Sequence, residues 1–318
     1  MIIIDVGAAG EILPRFSNIN SKTIVAFEPD PEAFLDLKKK YTSKDVIIIN
    51  EALSSQEQDL DIYFTEKGEC SSIYKPNKKL LERFPFSERF NVKSIEKIKT
   101  KTLDSALEEN NLKNPNYIKL DIQGAELDAL KGGLKSLKSI CCVELEIEFA
   151  ELYEGQPLFS EIEQFLRELG FEVWDIRRTF QKEKNAVFFG FKKGRLVSGD
   201  ALFFKNPKKL HDDLDELDDN DWYQIISSSI EIAKVYGYSE YVLDLINEIP
   251  DTRDKNLINK SLKFRKKNWL TIDSALSHHR YKFGKFISSK LFSLAHRIDP
   301  YDSGCKTGDL KLGNKTIE

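Results

Sequence analysis

The sequence predicts an α/β fold: a doubly wound, mostly parallel sheet whose last strand runs antiparallel, followed by a C-terminal helical extension. Three observations carry this. Apolar runs at 2–6, 23–27, 46–50 and 117–122 do not alternate with polar residues, so they read as strands buried on both faces. Helix signals fall between these runs, as parallel crossovers require. The composition then changes near Pro207, where an acidic run at 212–221 precedes helical patterns. We therefore expect two units, 1–205 and 206–318.

The elements follow in order. Residues 2–6 form the first strand and 23–27 the second. Asp30-Pro31-Glu32 opens a helix, with aspartate at the N-cap and proline at the first helical position, and it should run to about Tyr41. Residues 46–50 and 60–65 read as strands, whereas 68–90, with Pro76 and Pro85 and no clear period, reads as a long loop with helical turns. A strand at 91–101 leads to a short helix opened by Thr102-Leu103-Asp104 and ending near Asn110. The strand at 117–122 turns through Gln123-Gly124 into a helix at 125–137, and another strand follows at 140–149. The amphipathic helix at 159–169 stops at Gly170. Final strands fit 172–178, 186–191 and 201–204, and helices fit 225–236 and 241–249 about Gly237.

The first strand ends in Gly7-Ala8-Ala9-Gly10, and Glu28 falls at the tip of the second. Glycines let backbone turn sharply and approach a ligand that side chains would exclude. A carboxylate about 20 residues beyond such a turn is where open α/β sheets bind ribose hydroxyls. Together they read as a nucleoside crevice; the plain alternative is a tight turn with no ligand. A dinucleotide site wants a third glycine, and here Glu11 would bring negative charge beside the diphosphate. A cofactor without phosphates, such as S-adenosylmethionine, avoids that conflict. Asp5 could orient its ammonium group.

Four stretches together resemble the FkbM family of S-adenosylmethionine-dependent methyltransferases: Asp5 to Gly10, Phe27 to Pro31, Thr102-Leu103-Asp104, and Lys119-Leu-Asp-Ile-Gln-Gly-Ala-Glu126 with Leu130 to Gly133 behind it. Residues 143–159 and 199–204 look like one branch of that family, and the similarity covers roughly residues 1–205. It implies a Rossmann-like methyltransferase fold that moves a methyl group to a hydroxyl, often on a sugar or natural product. It further implies that Asp5, Gly7, Ala8, Ala9 and Gly10 cradle the methionyl part and Glu28 holds the ribose. Asn50, Glu51 and Ala52 would lie by the adenine, and Asp121 at the mouth where donor and acceptor meet.

Methyl transfer needs alignment and removal of a hydroxyl proton. The four histidines, His211, His278, His279 and His296, all lie beyond residue 205, so carboxylates are the better candidates. Glu144, Glu146 and Glu148 alternate with apolar residues and so share one face of a strand. They read as an acidic wall by the acceptor, with Glu146 or Asp121 catalytic and Glu148 at the substrate, or as a sheet face paired with basic side chains. No metal is expected; the alternative is magnesium or calcium on Asp121 and Glu146. Ser71 and Ser72 suit an acceptor-side lid. Tyr153 and Glu154 suit sugar contacts, or caps of the next helix.

An apolar fraction of 41% and charged fraction of 31% are those of a water-soluble globular protein, and a formal charge of −4 argues for no particular partner. Cys70, Cys141, Cys142 and Cys305 show neither metal nor secreted-disulfide spacing, and no apolar run is long enough to span a bilayer. The sequence opens on a strand, so no leader and a cytoplasmic location are expected. Residues 255–297 hold eleven Lys and Arg against one acid, Asp273. This basic amphipathic pattern suits peripheral contact with an anionic membrane or a protein partner, or a helix packed on its own domain. Nucleic acid is not expected as a partner, since no binding motif accompanies that charge. The oligomeric state is not readable.

The leading expectation is therefore an O-methyltransferase acting on a sugar, glycan or activated precursor. An NAD-dependent sugar oxidoreductase and a non-catalytic methyltransferase-like scaffold are the alternatives.

Overall fold

The computed structural model describes residues 1–8, 10, 12–19, 22–185, 194–254 and 258. Its strands are β1 (Ile2–Val6), β2 (Thr23–Phe27), β3 (Val46–Ile49), β4 (Ala52–Leu53), β5 (Asp59–Thr65), β6 (Val92–Lys101), β7 (Tyr117–Leu120), β8 (Cys142–Glu148), β9 (Phe171–Gln181) and β10 (Arg195–Lys205). The helices are α1 (Pro31–Lys40), α2 (Lys78–Leu81), α3 (Leu103–Glu109), α4 (Glu126–Lys131), α5 (Phe159–Glu168), α6 (Pro207–Asp213), α7 (Asp219–Tyr236) and α8 (Ser239–Asn247).

Seven strands form one sheet in the order β3-β2-β1-β7-β8-β10-β9. The strands from β3 to β8 pair in parallel, whereas β10 runs antiparallel to both β8 and β9. This is a Rossmann-like, doubly wound arrangement, with the antiparallel last strand inserted rather than placed at the edge. The central strands are Ile-, Val- and Phe-rich because helices bury both of their faces. One face packs on α3 to α5 through Ile4, Val25, Leu103, Ile118, Leu130 and Ile162. The other packs on α6 to α8 through Ile3, Tyr117, Phe204, Leu210, Trp222 and Tyr241.

Asp30 caps α1 by accepting from Ala33 N at 2.8 Å, and Thr102 caps α3 from Ser105 N at 3.1 Å, as the sequence suggested. Other expectations need correction. The helix expected over 125–137 ends at Lys131, because Gly132 and Gly133 pack closely on other segments: a Cβ at Gly132 would lie 2.2 Å from the Ser54 carbonyl. The strands β4, β5 and β6 form a separate three-stranded sheet in the order β4-β6-β5. Most of β6 is exposed, with only Thr100 buried, so this strand lies outside the two-sided core of the main sheet. The acidic run is partly helical: Asp218 caps α7, and Asp219 and Asp221 sit in its first turn, where the dipole favours them.

The composition change near Pro207 coincides with the start of α6, and α6 to α8 share a core with the sheet. The strand expected at 186–191 and the basic segment 255–297 lie outside the described residues, apart from buried Ile258. Among the described residues no helix is long and apolar enough to cross a membrane.

Candidate functional site

The register Val6↔Phe27 brings the turn after β1 beside the tip of β2. Gly7 has φ +82°, and its N–H and that of Ala8 both donate to Phe27 O, at 3.1 and 3.2 Å. A Cβ at Gly7 would come within 2.1 Å of the Asp121 carbonyl, so glycine is required both for the turn and for the contact with the end of β7. Gly7, Gly10, Glu28, Glu51, Ala52 and Asp121 line one cavity of about 780 Å³, within the range of small-molecule sites. Its opposite wall comes from the small sheet, through Ile62, Phe64 and Ile98.

Glu28 is 5% exposed and holds Asp30 N at 2.9 Å through one carboxylate oxygen; burial pushes its pKa up. Asn50 does not line the cavity: its side-chain amide donates to Glu28 O at 2.8 Å and braces the turn. Glu51 pairs with Lys101 at 2.9 Å. Ala8 is buried beneath the turn, and Ala9 lies outside the described residues. Asp5 is almost fully buried, and one carboxylate oxygen has no hydrogen-bond partner. The nearest cation to that oxygen, Lys119 Nζ, is 4.0 Å away, and burial raises the Asp5 pKa to about 6. Lys119 also bonds Asp121 at 3.2 Å, so it stands between the carboxylates at the ends of β1 and β7.

Beyond Asp121 the cavity gives way to a buried polar network centred on Gln123. This residue lines the cavity with φ +57°, a left-handed backbone in which residues other than glycine are uncommon. Its amide nitrogen donates to Glu146 at 2.6 Å and to Asp121 at 3.3 Å. Its side-chain oxygen lies 2.9 Å from Tyr153 OH, and its backbone carbonyl accepts from Ser72 at 2.7 Å. Glu146 and Glu148 therefore stand behind the cavity wall rather than on it. Burial drives both pKa values well above the ordinary carboxylate range, and raises that of Glu126 to about 7. Glu126 accepts from Ile122 N at 2.8 Å, yet Glu126 and Glu148 each keep one buried oxygen without a partner.

The remaining expected acceptor contacts divide. Ser71 lines the cavity and accepts from Thr65 N at 3.1 Å. Ser72 and Tyr153 are buried struts tying the 68–90 loop to the Gln123 turn; Tyr153 OH also lies 2.9 Å from Cys70 O. Glu154 is exposed and paired with Lys75 at 3.1 Å. Glu144 lies far down β8 under α7, where Tyr117 donates to it at 2.9 Å and Tyr236 also donates. Among the described residues no group of three His, Cys, Asp or Glu side chains is arranged to hold a metal ion.

Sequence reasoning missed Gln123, Glu126 and the apolar wall of the small sheet. A polar residue ahead of Gly124, at a sharp strand-to-helix turn, was the available signal for Gln123. None existed for the wall, since strand pattern does not say which sheet a strand joins.

The residues fit an adenosyl cofactor. The Glu28 carboxylate lines the cavity beside the Gly7 turn, a buried aspartate oxygen lacks a partner beneath it, and the cavity is of small-molecule size. The methyltransferase FkbM domain family model matches residues 5–173. A 2-O-methyltransferase, NoeI, from Sinorhizobium fredii is 27% identical over 185 residues, covering 52% of this chain and 75% of its own. Among solved structures, a methyltransferase FkbM from Methylobacillus flagellatus KT aligns with TM-score 0.36 and 15% identity over 64% of this chain. This chain spans only 42% of that one's length. A SAM-dependent methyltransferase from Aquifex aeolicus aligns with TM-score 0.31 and 13% identity, over 64% of this chain and 82% of that one.

Proposed function

Because the chain belongs to the methyltransferase FkbM family, we propose that it moves a methyl group from S-adenosylmethionine to a hydroxyl of a sugar or glycan. The cofactor, when bound, supplies an electrophilic methyl on a sulfonium. The carrying observation is the corner where Gly7 and Glu28 meet on one cavity. Glu28 would accept from both ribose hydroxyls, and Asp5 would answer the ammonium with its unpartnered oxygen. Ala52 would flank the adenine.

Asp121 is the residue to take the acceptor's proton. It reaches the cavity, whereas Glu146 is buried behind Gln123, where burial drives its pKa well above the ordinary carboxylate range. Glu146 acts on the reaction through the Gln123 amide as a positioning residue. The likeness to a 2-O-methyltransferase supports oxygen as the acceptor atom.

Isothermal titration with S-adenosylhomocysteine tests the reading. We expect binding in the wild type, weakened by about 1.5–3 kcal/mol in Glu28→Ala, the range for hydrogen bonds to a charged group. Unchanged affinity in that variant removes the Glu28 assignment, and no binding in the wild type removes methyl transfer itself.

A further inference from the structure

The hydroxyl of Tyr153 is buried between two oxygens, Cys70 O and Gln123 Oε1, each 2.9 Å away. A backbone carbonyl and an amide oxygen only accept, and a phenol has one proton to give. Tyr153 therefore serves one of the two at a time. The choice is felt at both ends. Cys70 belongs to the segment whose Gly68, Glu69, Ser71 and Ile73 line the cavity, and Gln123 reaches Asp121 and Glu146.

Which oxygen is served depends on the Gln123 amide, whose two ends are alike in shape but opposite in hydrogen bonding. With its nitrogen toward the carboxyls, its oxygen takes the Tyr153 proton and Cys70 O goes without it. Turned over, the nitrogen donates to Tyr153 and Tyr153 donates to Cys70 O. The amide oxygen then needs a proton from the carboxyl side. Glu146 can meet either end as a neutral acid, the form its burial favours. Its 2.6 Å contact with the amide is shorter than N–H···O bonds usually are and falls among O–H···O bonds. Asp121, 3.3 Å from the same end, is the group that decides. As a carboxylate it accepts from the nitrogen; once protonated it donates to the oxygen.

Resting on the reading of Asp121 as the group that takes the acceptor's proton, we propose that Gln123 and Tyr153 are positioning residues that carry the protonation state of Asp121 to the cavity wall at Cys70. Before transfer, the amide nitrogen donates to the Asp121 carboxylate. During transfer, an electron pair of the acceptor's oxygen forms the bond to the methyl carbon. The sulfur–carbon bond breaks with its electrons staying on sulfur, and the hydroxyl proton passes to Asp121. The amide then turns over and the Tyr153 hydroxyl rotates from Gln123 to Cys70 O. No further proton changes hands.

Nuclear magnetic resonance of the full chain checks this, with cysteine labelled by carbon-13 at its carbonyl and serine by nitrogen-15. Cys70-Ser71 is the one Cys-Ser pair in the sequence, so a single carbonyl signal reports on it. In protein saturated with S-adenosylhomocysteine, that signal should move downfield as the pH falls from about 8 to about 4, the range that spans carboxyl titration. Other charges stand nearby. Asp121 is faced by Lys119 beside it, Asp5 from β1, Glu126 from α4, Glu146 and Glu148 from β8 and Asp200 from β10. Cys70 is faced by Glu69 and Arg89. Two variants separate these from the proposed route: the shift should be lost in Asp121→Asn and in Tyr153→Phe, with near-UV circular dichroism confirming a folded core. A Cys70 signal that does not titrate in the wild type overturns the proposal, and so does a shift that persists in either variant. If Tyr153→Phe does not fold, Asp121→Asn alone decides. Failure to bind S-adenosylhomocysteine counts against methyl transfer itself. A static Cys70 signal with that binding intact counts against this inference alone.

Discussion

Glu144 and Glu148 stand on one face of β8, yet the strand treats them in opposite ways. At the closed end, under α7, Glu144 is met by the hydroxyls of Tyr117 and Tyr236, whose rings stack at 6.3 Å. At the open end, beside the Gln123 turn, Glu148 and Glu126 are buried with an oxygen each unanswered. Unpaired buried carboxylate costs stability, so a protein keeps it only where something other than stability is served. One strand thus runs from a scaffold into a site.

Four changes would break or sharpen that contrast. Gly7→Ala acts at the open end, where a Cβ meets the Asp121 carbonyl at 2.1 Å and φ is +82°. It should weaken S-adenosylhomocysteine by more than a hundredfold, about 3 kcal/mol, with near-UV circular dichroism confirming a folded core. Wild-type affinity would mean that the turn does not shape the site.

Glu126→Gln comes next. Its pKa rises on folding from the usual 4.5 to about 7, so the folded state holds the proton more tightly. The resulting stabilisation is complete below pH 4.5 and is lost as pH rises through about 7. The shift corresponds to about 3 kcal/mol, and the neutral amide should remove that loss. Melting temperatures between pH 5 and 8 should fall less steeply in the variant than in the wild type; parallel curves would show that Glu126 does not titrate.

At the closed end, Tyr236→Phe leaves Glu144 with one phenol and should cost about 1–3 kcal/mol in urea unfolding, with cofactor affinity unchanged. A variant that unfolds normally but binds poorly would join the two ends. The smallest effect belongs to Glu154→Ala, whose partner Lys75 is equally exposed. It should change stability by less than about 0.5 kcal/mol and leave methyl transfer intact, and a large loss of activity would return Glu154 to the acceptor site.

The sheet was readable from sequence because its signals are local: apolar runs without alternation, Asp30-Pro31, Thr102, Gly170. So was the Gly7–Glu28 corner, since strand pairing alone brings those two tips together. What escaped depends on three-dimensional packing. The face of Glu144, Glu146 and Glu148 followed from strand period, but which carboxylate meets tyrosine, which meets Gln123 and which keeps a buried oxygen without a partner depends on segments remote from β8 in sequence. Tyr153, expected as a sugar contact or a helix cap, is fully buried on a small core with Phe84 and Leu152. The fate of β5 and β6 turned on a pairing choice that their own residues do not declare.

The insertion of β10 between β8 and β9 sets an order of events during synthesis. Phe171–Gln181 leaves the ribosome before Arg195–Lys205, yet among the described residues β10 is its sole partner in the sheet. Until that last segment emerges, the nascent chain carries an eleven-residue strand without a neighbour and an uncovered flank of β8. Completion of this side of the sheet must therefore wait for the polypeptide to double back, and until it does an unpaired strand edge stays open to other chains.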